Sequence, residues 1–359
     1  MVAKPDRPPI DSLTSLRGLA ALWVVLYHFA GDLTKLLPGI TPLLPFLREG
    51  HFAVPIFFIL SGYVLTYNYA DRIGRRPTCR EVLRFWARRL ARIYPLHLVT
   101  LLALLVMALA AARSGLAISR SGYSRRDFVL NLLLLHAWVP TFRLSWNYPS
   151  WSISSEWFAY LFFPLACPWL LRARRPAVLI ALALGGCMAS IGLQFLGTVL
   201  PFGTLIVVVG PFLLGCVLAR LVGTGLAVRG GGAASWAVLL VIGLTPFLAT
   251  PNVLAIVLLT AGAALVFLLG AAGQNCSRFW TQRPLVVLGE MSYSLYMVHT
   301  LVQKVLNETI PAARFVDRPL ILRTTIVGLD VAAVALTTWL AHRLVDDLAR
   351  RSIRRRFSL

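Results

Sequence analysis

Apolar residues recur along the chain in blocks of about 20, and shorter arginine-rich stretches separate the blocks. A helix that crosses a bilayer needs roughly 20 predominantly apolar residues, and blocks of this length predict helices rather than strands. We predict ten spans, at residues 12–32, 52–70, 92–113, 150–171, 177–197, 203–222, 234–249, 252–272, 285–306 and 320–342. The shorter apolar run Phe128–Val139 predicts an interfacial or re-entrant helix within the connection 114–149. We therefore expect an all-α polytopic membrane protein.

The positions of the arginines predict the orientation of these spans. Arginines are concentrated after the second span, after the fourth span and in the C-terminal tail. Positively charged residues are retained on the cytoplasmic side, so alternate connections should be rich and poor in them. Both termini are expected in the cytoplasm, and the connection 114–149 is expected outside it. Residues 1–359 are expected to form one transmembrane domain with no appended soluble domain.

Composition agrees with a membrane protein and narrows the choice of partners. Hydrophobic residues make up 58% of the chain and charged residues 14%, whereas about 25% of a soluble domain is charged. A net charge of +21 would suggest nucleic acid in a soluble protein. Because the basic residues lie between apolar blocks, we expect contact with membrane lipids instead, and no nucleic-acid partner. The five cysteines show no CxxC spacing, so no metal site is expected.

Among the ionisable side chains inside the predicted spans, those of His28, Glu156, His299 and Asp330 most need an explanation. Each costs roughly 2.5–3.5 kcal/mol to insert, which makes a functional role the first hypothesis. At 1.5 Å per residue, His28 lies about 24 Å along the first span, Glu156 about 9 Å from the outer end of the fourth, and His299 about 21 Å along the ninth. These three are therefore predicted at similar outer depth. The alternative is that helix contacts satisfy each one independently, and Asp330 and His97 receive no role.

Three arginines are candidates for binding an anionic group. Arg17 precedes His28 by eleven residues and shares its helix face,. Arg89 and Arg92 lie three residues apart on one face, and a pair of guanidinium groups can grip phosphate oxygens. The alternatives are a snorkelling role for Arg17 and a lipid-headgroup anchor for the other two.

Hydroxyl groups accompany the buried charges. Ser152 lies one turn before Glu156, so its hydroxyl is expected to hold that carboxylate,. Tyr296 lies three residues before His299, on the same helix face. Ser61 is followed by a glycine in the second span, a small-residue pair that favours close helix packing.

Five short motifs occur in a fixed order. They are Arg-x10-His (Arg17, His28), FF-x-LSG-aromatic (Phe57–Tyr63), R-x-x-R before Tyr-Pro (Arg89, Arg92), WS-x-S-x-E (Trp151–Glu156) and SYSLY-x-x-H (Ser292–His299). Together they resemble the acyltransferase-3 family of integral membrane acyltransferases over essentially the whole chain. Pro55 departs from the pattern, since the family often has an aspartate ahead of the paired phenylalanines.

The resemblance implies transfer of an acyl group, usually acetyl, from cytoplasmic acetyl-CoA or another acyl-CoA. The implied acceptor is a hydroxyl of a glycan, glycolipid or glycosylated small molecule, such as an O-antigen, an exopolysaccharide or a macrolide sugar. The implied location is the bacterial inner membrane. Arg17, His28, Arg89, Arg92 and Glu156 occupy positions that match functionally important members of the family's motifs.

A mechanism follows as a hypothesis. His28 would be the general base, Glu156 would orient it and stabilise the imidazolium, and the three arginines would hold the CoA phosphates. Ser61, Ser152, Tyr296 and His299 would support the site or bind substrate. A covalent acyl-enzyme on His28 or Ser61 is an alternative. A glycolipid or polysaccharide transporter is the rival class, although the chain shows no internal repeat. The sequence leaves the acceptor, acyl length and oligomeric state open.

Overall fold

The computed structural model describes residues 8–74, 76–114, 122–139, 145–172, 175–196, 203–225, 231–273 and 276–349. Within these ranges the regular structure is entirely helical, and no residue lies in a strand. The α-helices are α1 (Asp11–Leu36), α2 (Leu44–Arg48), α3 (Ala53–Ile73), α4 (Cys79–Arg113), α5 (Arg125–Leu132), α6 (Trp151–Arg172), α7 (Pro176–Leu196), α8 (Gly203–Gly223), α9 (Gly231–Leu248), α10 (Pro251–Ala272), α11 (Arg283–Thr309) and α12 (Leu320–Ala341).

The ten predicted spans each coincide with one long helix, and α2 and α5 are the two short additions. In the described part of the chain, seven helices are long and apolar enough to cross a membrane. The all-α polytopic fold is thereby confirmed. The main difference is α4, which begins at Cys79 rather than at residue 92. Its first half is amphipathic and rich in arginine, so an apolar count misses it although the helix is continuous.

The helix expected at Phe128–Val139 was wrongly bounded. The structure has α5 at Arg125–Leu132, followed by turns up to residue 139. Ser124 sets the start of α5, because its hydroxyl accepts a bond of 3.0 Å from the Asp127 amide, a typical N-cap. Leu134 has a left-handed backbone conformation, with φ of 57°. The helical path therefore does not continue, although the apolar pattern does.

The chain divides into two compact units, each made of separate chain segments. The first unit contains residues 1–20, 51–87 and 155–290, and the second contains residues 21–50, 88–154 and 291–359. In the first unit α3 packs against α8 and α10, α8 packs against α7, and α9 packs against α10.

Glycines allow α3 and α8 to approach closely. A Cβ atom added to Gly62 of α3 would overlap the carbonyl of Phe212, and one added to Gly215 of α8 would overlap the carbonyl of Ile59. Two helices whose glycines face each other's carbonyls can pack at backbone distance, as small residues permit in membranes. The close packing predicted for the glycine after Ser61 is therefore observed.

In the second unit, Ile326 of α12 joins Leu36 of α1 in a buried cluster. Leu329, Val331 and Leu336 of α12 are exposed. Large apolar side chains that remain exposed suit a helix that faces lipid.

Candidate active site

Two histidines meet in the second unit. The Nε2 atom of His299, on α11, lies 2.8 Å from the Nδ1 atom of His28, on α1. The ring centroids are 4.9 Å apart, and His299 is fully buried whereas His28 is partly accessible. The structure thus brings together two intramembrane histidines that the depth estimate placed at the same level.

The hydrogen bonds around this pair assign the His28 tautomer. The Nδ1 atom of His299 lies 3.1 Å from the Leu295 carbonyl oxygen, which can only accept, so Nδ1 carries the hydrogen. The Nε2 atom of a neutral His299 is then an acceptor, and the His28 Nδ1–H must donate to it. We therefore assign the lone pair of His28 to Nε2. A ring held in this state is prepared to remove a proton through Nε2.

His28 is also held by its backbone and by two aromatic rings. The Gln303 side chain donates a bond of 2.7 Å to the His28 carbonyl. The rings of Tyr27 and Tyr148 pack against the imidazole with centroid distances of 4.8 Å and 5.1 Å. These contacts restrict rotation of the base, which is what general-base catalysis requires of it.

Glu156 lies in the first unit and is held by two hydroxyl groups. Ser61 of α3 donates a bond of 3.0 Å to its Oε1 atom, and Tyr160, one turn further along α6, donates to the same oxygen. An ionised carboxylate only accepts, so two converging hydroxyls suit it. His28 and Glu156 belong to different units, and their cooperation stays a prediction.

Ser152, which was expected to hold Glu156, bonds elsewhere. Its hydroxyl lies 3.1 Å from the Pro149 carbonyl and 2.8 Å from the Tyr296 hydroxyl. Tyr296 itself donates to the Pro149 carbonyl at 3.0 Å. A serine in the first turn of a helix readily bonds back to a nearby carbonyl, which explains the difference. Ser152 and Tyr296 therefore fix the start of α6.

Asn147 is a buried residue that sequence reasoning did not select. Its side-chain amide donates to Thr100 at 3.3 Å and to the Met297 carbonyl at 3.0 Å, and its oxygen accepts from Thr300 at 3.0 Å. Asn147 thereby joins α4, α11 and the segment before α6. It is uncharged and lies outside every motif, so the search for intramembrane charges missed it.

A polar stripe along α11 was a signal that could have found these contacts. Tyr296, His299, Thr300, Gln303 and Lys304 follow an i, i+3, i+4, i+7, i+8 pattern and therefore share one helix face,. The Lys304 ammonium, for example, donates to the Trp146 carbonyl at 3.1 Å. A polar stripe in an otherwise apolar span predicts a buried functional or packing face.

The three candidate arginines have different surroundings. Arg17 donates to the Gly289 carbonyl through Nε at 3.2 Å and through Nη2 at 2.7 Å. A Cβ at the neighbouring Gly18 would lie 2.7 Å from the Gly289 nitrogen, so Arg17 braces a tight crossing of α1 and α11. Arg89 and Arg92 are half-buried on the continuous helix α4, where their spacing of three residues keeps them on one face.

The sequence profile of the acyltransferase-3 family, described as an acyltransferase domain, matches residues 10–342. The chain belongs to this family. It is 33% identical over 318 residues to the acyltransferase MdmB of Streptomyces mycarofaciens. This alignment covers 82% of this chain and 79% of MdmB. It is 25% identical over 322 residues to the O-acetyltransferase OatA of Staphylococcus aureus strain NCTC 8325, covering 81% of this chain and 50% of OatA.

The chain therefore spans about half the length of OatA. No solved structure matches it. Family membership and both relatives identify a multi-pass membrane O-acyltransferase.

In this acyltransferase, His97 belongs to a second buried histidine pair. Its Nε2 atom lies 2.8 Å from the Asn131 carbonyl, and its ring stacks on that of His136 with centroids 6.0 Å apart. His136 in turn contacts the Ser150 hydroxyl at 3.2 Å. Burial, and then the neighbouring His97, lowers the pKa of His136 from 6.5 to about 3. This cluster supports the segment that leads into α6.

Proposed function

We propose that this acyltransferase moves an acyl group from a cytoplasmic acyl-CoA, acetyl-CoA in the first instance, to a hydroxyl of a glycan, glycolipid or glycosylated small molecule. The observation that carries the proposal is the His28–His299 pair, which leaves the His28 Nε2 atom as a proton acceptor. An alcohol is a poor nucleophile at neutral pH, so attack on a thioester needs such a base.

The reaction balances with these residues alone. His28 Nε2 takes the proton of the acceptor hydroxyl as its oxygen bonds to the thioester carbonyl carbon. The tetrahedral intermediate then breaks the C–S bond, and the imidazolium returns the proton to the CoA thiolate. His299 keeps the ring oriented through its 2.8 Å contact with Nδ1. In this proposal the Glu156 carboxylate, positioned by Ser61 and Tyr160, orients the base and stabilises the imidazolium.

The donor phosphates are assigned to Arg17, Arg89 and Arg92. Guanidinium groups recognise phosphates through charge-assisted bonds, and Arg89 and Arg92 lie on one face of α4. Arg17 also bonds to the Gly289 carbonyl, so its removal would disturb packing as well as donor binding. Arg92 therefore gives the clearer test. In this proposal the donor enters from the cytoplasm, and the membrane is the bacterial inner membrane.

The test uses purified protein in lipid nanodiscs with radiolabelled acetyl-CoA. The acceptors are a glycosylated macrolide, an O-antigen oligosaccharide and an exopolysaccharide fragment, each supplied separately. Label should enter at least one acceptor with the wild type and none with His28→Ala. If the wild type binds no acetyl-CoA and labels no acceptor, the proposed donor and acceptors are wrong.

A donor-site variant tests the arginines. Loss of one charge-assisted phosphate bond costs about 1.5–3 kcal/mol, so Arg92→Gln should raise the KM for acetyl-CoA by roughly 10- to 150-fold. Arg113→Gln, at the exposed far end of the same helix, is the matched control and should leave the KM unchanged. An equal KM in the two variants would remove Arg92 from the donor site.

A further inference from the structure

Tyr148 packs directly against the base. Its ring meets the His28 imidazole edge-on, at a centroid distance of 5.1 Å and an angle of 82°. It lies in the 3₁₀ turn Tyr148–Ser150 immediately before α6 and is half-buried. Its side chain is therefore adjacent to the place where the acceptor hydroxyl loses its proton.

The backbone on both sides of Tyr148 is fixed by buried hydrogen bonds. Asn147 bonds to α4 and α11 through its whole amide group. The Pro149 carbonyl accepts from both Ser152 and Tyr296. The Ser150 hydroxyl bonds to Asn131 at 3.3 Å and also contacts the His136 ring. Tyr148 is thus held from both neighbours without needing its own hydroxyl for support.

The Tyr148 hydroxyl itself has no hydrogen-bond partner among the described residues. By contrast, the His299 ring and the Gln303 amide, which also contact His28, each donate a hydrogen bond to a protein carbonyl. Burial, and then the nearby Tyr27 and Tyr296, raises the pKa of Tyr148 above its usual value. The phenol therefore stays a neutral O–H donor through the neutral and mildly alkaline range.

We propose that the Tyr148 hydroxyl is a catalytic hydrogen-bond donor to the oxyanion that forms when the acceptor attacks the thioester carbonyl. This inference rests on the proposed acyl transfer. As the new C–O bond forms, the carbonyl oxygen gains negative charge, and the Tyr148 O–H bonds to that oxygen while His28 holds the acceptor's proton. When the C–S bond breaks, the charge leaves the oxygen and the proton passes from His28 to the thiolate. Tyr148 keeps its own proton throughout.

A donor that acts on a developing charge should affect turnover rather than binding. Removing one such donor lowers kcat by about 10²–10³ in enzymes with an oxyanion hole, and an interaction made only in the transition state leaves KM unchanged. We therefore expect Tyr148→Phe to lose about 10²–10³ in kcat, with unchanged KM values for acetyl-CoA and for the acceptor. The ring is retained in this variant, so its packing against His28 is preserved.

The experiment measures release of the CoA thiol from acetyl-CoA by protein in nanodiscs, with whichever glycosylated acceptor the wild type uses and also with water alone. Tyr67→Phe on α3, another half-buried tyrosine, is the matched control and should keep the wild-type kcat. An unchanged apparent Tm and unchanged binding of desulfo-CoA, a non-reactive donor probe, show that Tyr148→Phe is folded.

The outcomes separate this inference from the proposed function. A wild type that releases no thiol and labels no acceptor overturns the acyl transfer itself. An active wild type with inactive His28→Ala, but a Tyr148→Phe variant within about threefold of the wild-type kcat, overturns only the role of Tyr148. A raised acceptor KM at normal kcat also overturns it, because the hydroxyl would then bind the ground state.

Discussion

Replacing His299 by leucine tests whether this buried residue sets the state of the base. In the structure His299 accepts from His28 Nδ1 at 2.8 Å and donates to the Leu295 carbonyl at 3.1 Å. Leucine fills a similar volume but accepts nothing. The His28 Nδ1–H then loses its 2.8 Å acceptor, and the tautomer with a free Nε2 is less favoured.

The size of the effect follows from one buried hydrogen bond. Leaving a buried donor without a partner costs about 1–3 kcal/mol, which corresponds to roughly 5- to 150-fold in the population of the active tautomer. His299→Leu should therefore lower kcat by a factor in this range. In a serine-protease triad the wrong histidine tautomer lowers kcat by up to about 10⁴. The loss expected for His299→Leu is therefore smaller than in that case.

The assay compares kcat and KM for CoA thiol release in the wild type, His299→Leu, His299→Gln and His28→Ala. His299→Gln offers an amide oxygen to the His28 Nδ1–H and should recover much of the lost kcat, whereas His28→Ala should be inactive. The reasoning is refuted if His299→Leu is folded and turns over at the wild-type rate. It is also refuted if His299→Gln is no better than His299→Leu.

Three further predictions concern other parts of the protein. Ser61→Ala removes one of the two hydrogen bonds to Glu156. A hydrogen bond to a charged group contributes about 1.5–3 kcal/mol, so activity should fall roughly 10- to 150-fold. Complete loss of activity, with acetyl trapped on Ser61 of the wild type, would indicate an acyl-enzyme instead. Gly62→Ala drives a Cβ into a backbone carbonyl and should cost about 1–3 kcal/mol, seen as a lower apparent Tm. Its control, Gly185→Ala, meets no atom within 4 Å; equal Tm values would contradict the packing account. Because the pKa of His136 falls from 6.5 to about 3, the unfolded chain binds more protons between these values, so stability should decrease as pH is lowered from 7 towards 4. His136→Gln should flatten that dependence relative to the exposed control His51→Gln; an unchanged slope would contradict it.

The long helices were predictable because bilayer thickness imposes a length that the apolar blocks display directly. The amphipathic start of α4 was not, because its arginines lower the apolar count while the backbone remains helical. The start of α5 depended on the Ser124 cap rather than on the apolar run that followed.

The site was predictable only in part. The depths of His28 and His299 followed from helix rise, so the sequence placed them at one level before any contact was known. Ser61, not Ser152, is the partner of Glu156 because of packing between helices that are distant in sequence. Spacing rules apply within one helix and cannot predict such a contact. Asn147 is neutral and lies in a turn, so neither charge nor periodicity selected it.

The most direct test of the acyltransferase account is the stoichiometry of CoA thiol released and acyl ester formed. Both are measured in one reaction with radiolabelled acetyl-CoA and a glycosylated acceptor, using the wild type and His28→Ala in nanodiscs. The account predicts that thiol and ester appear in equal amounts with the wild type and that neither appears with His28→Ala. Equal ester formation by the two proteins would contradict it.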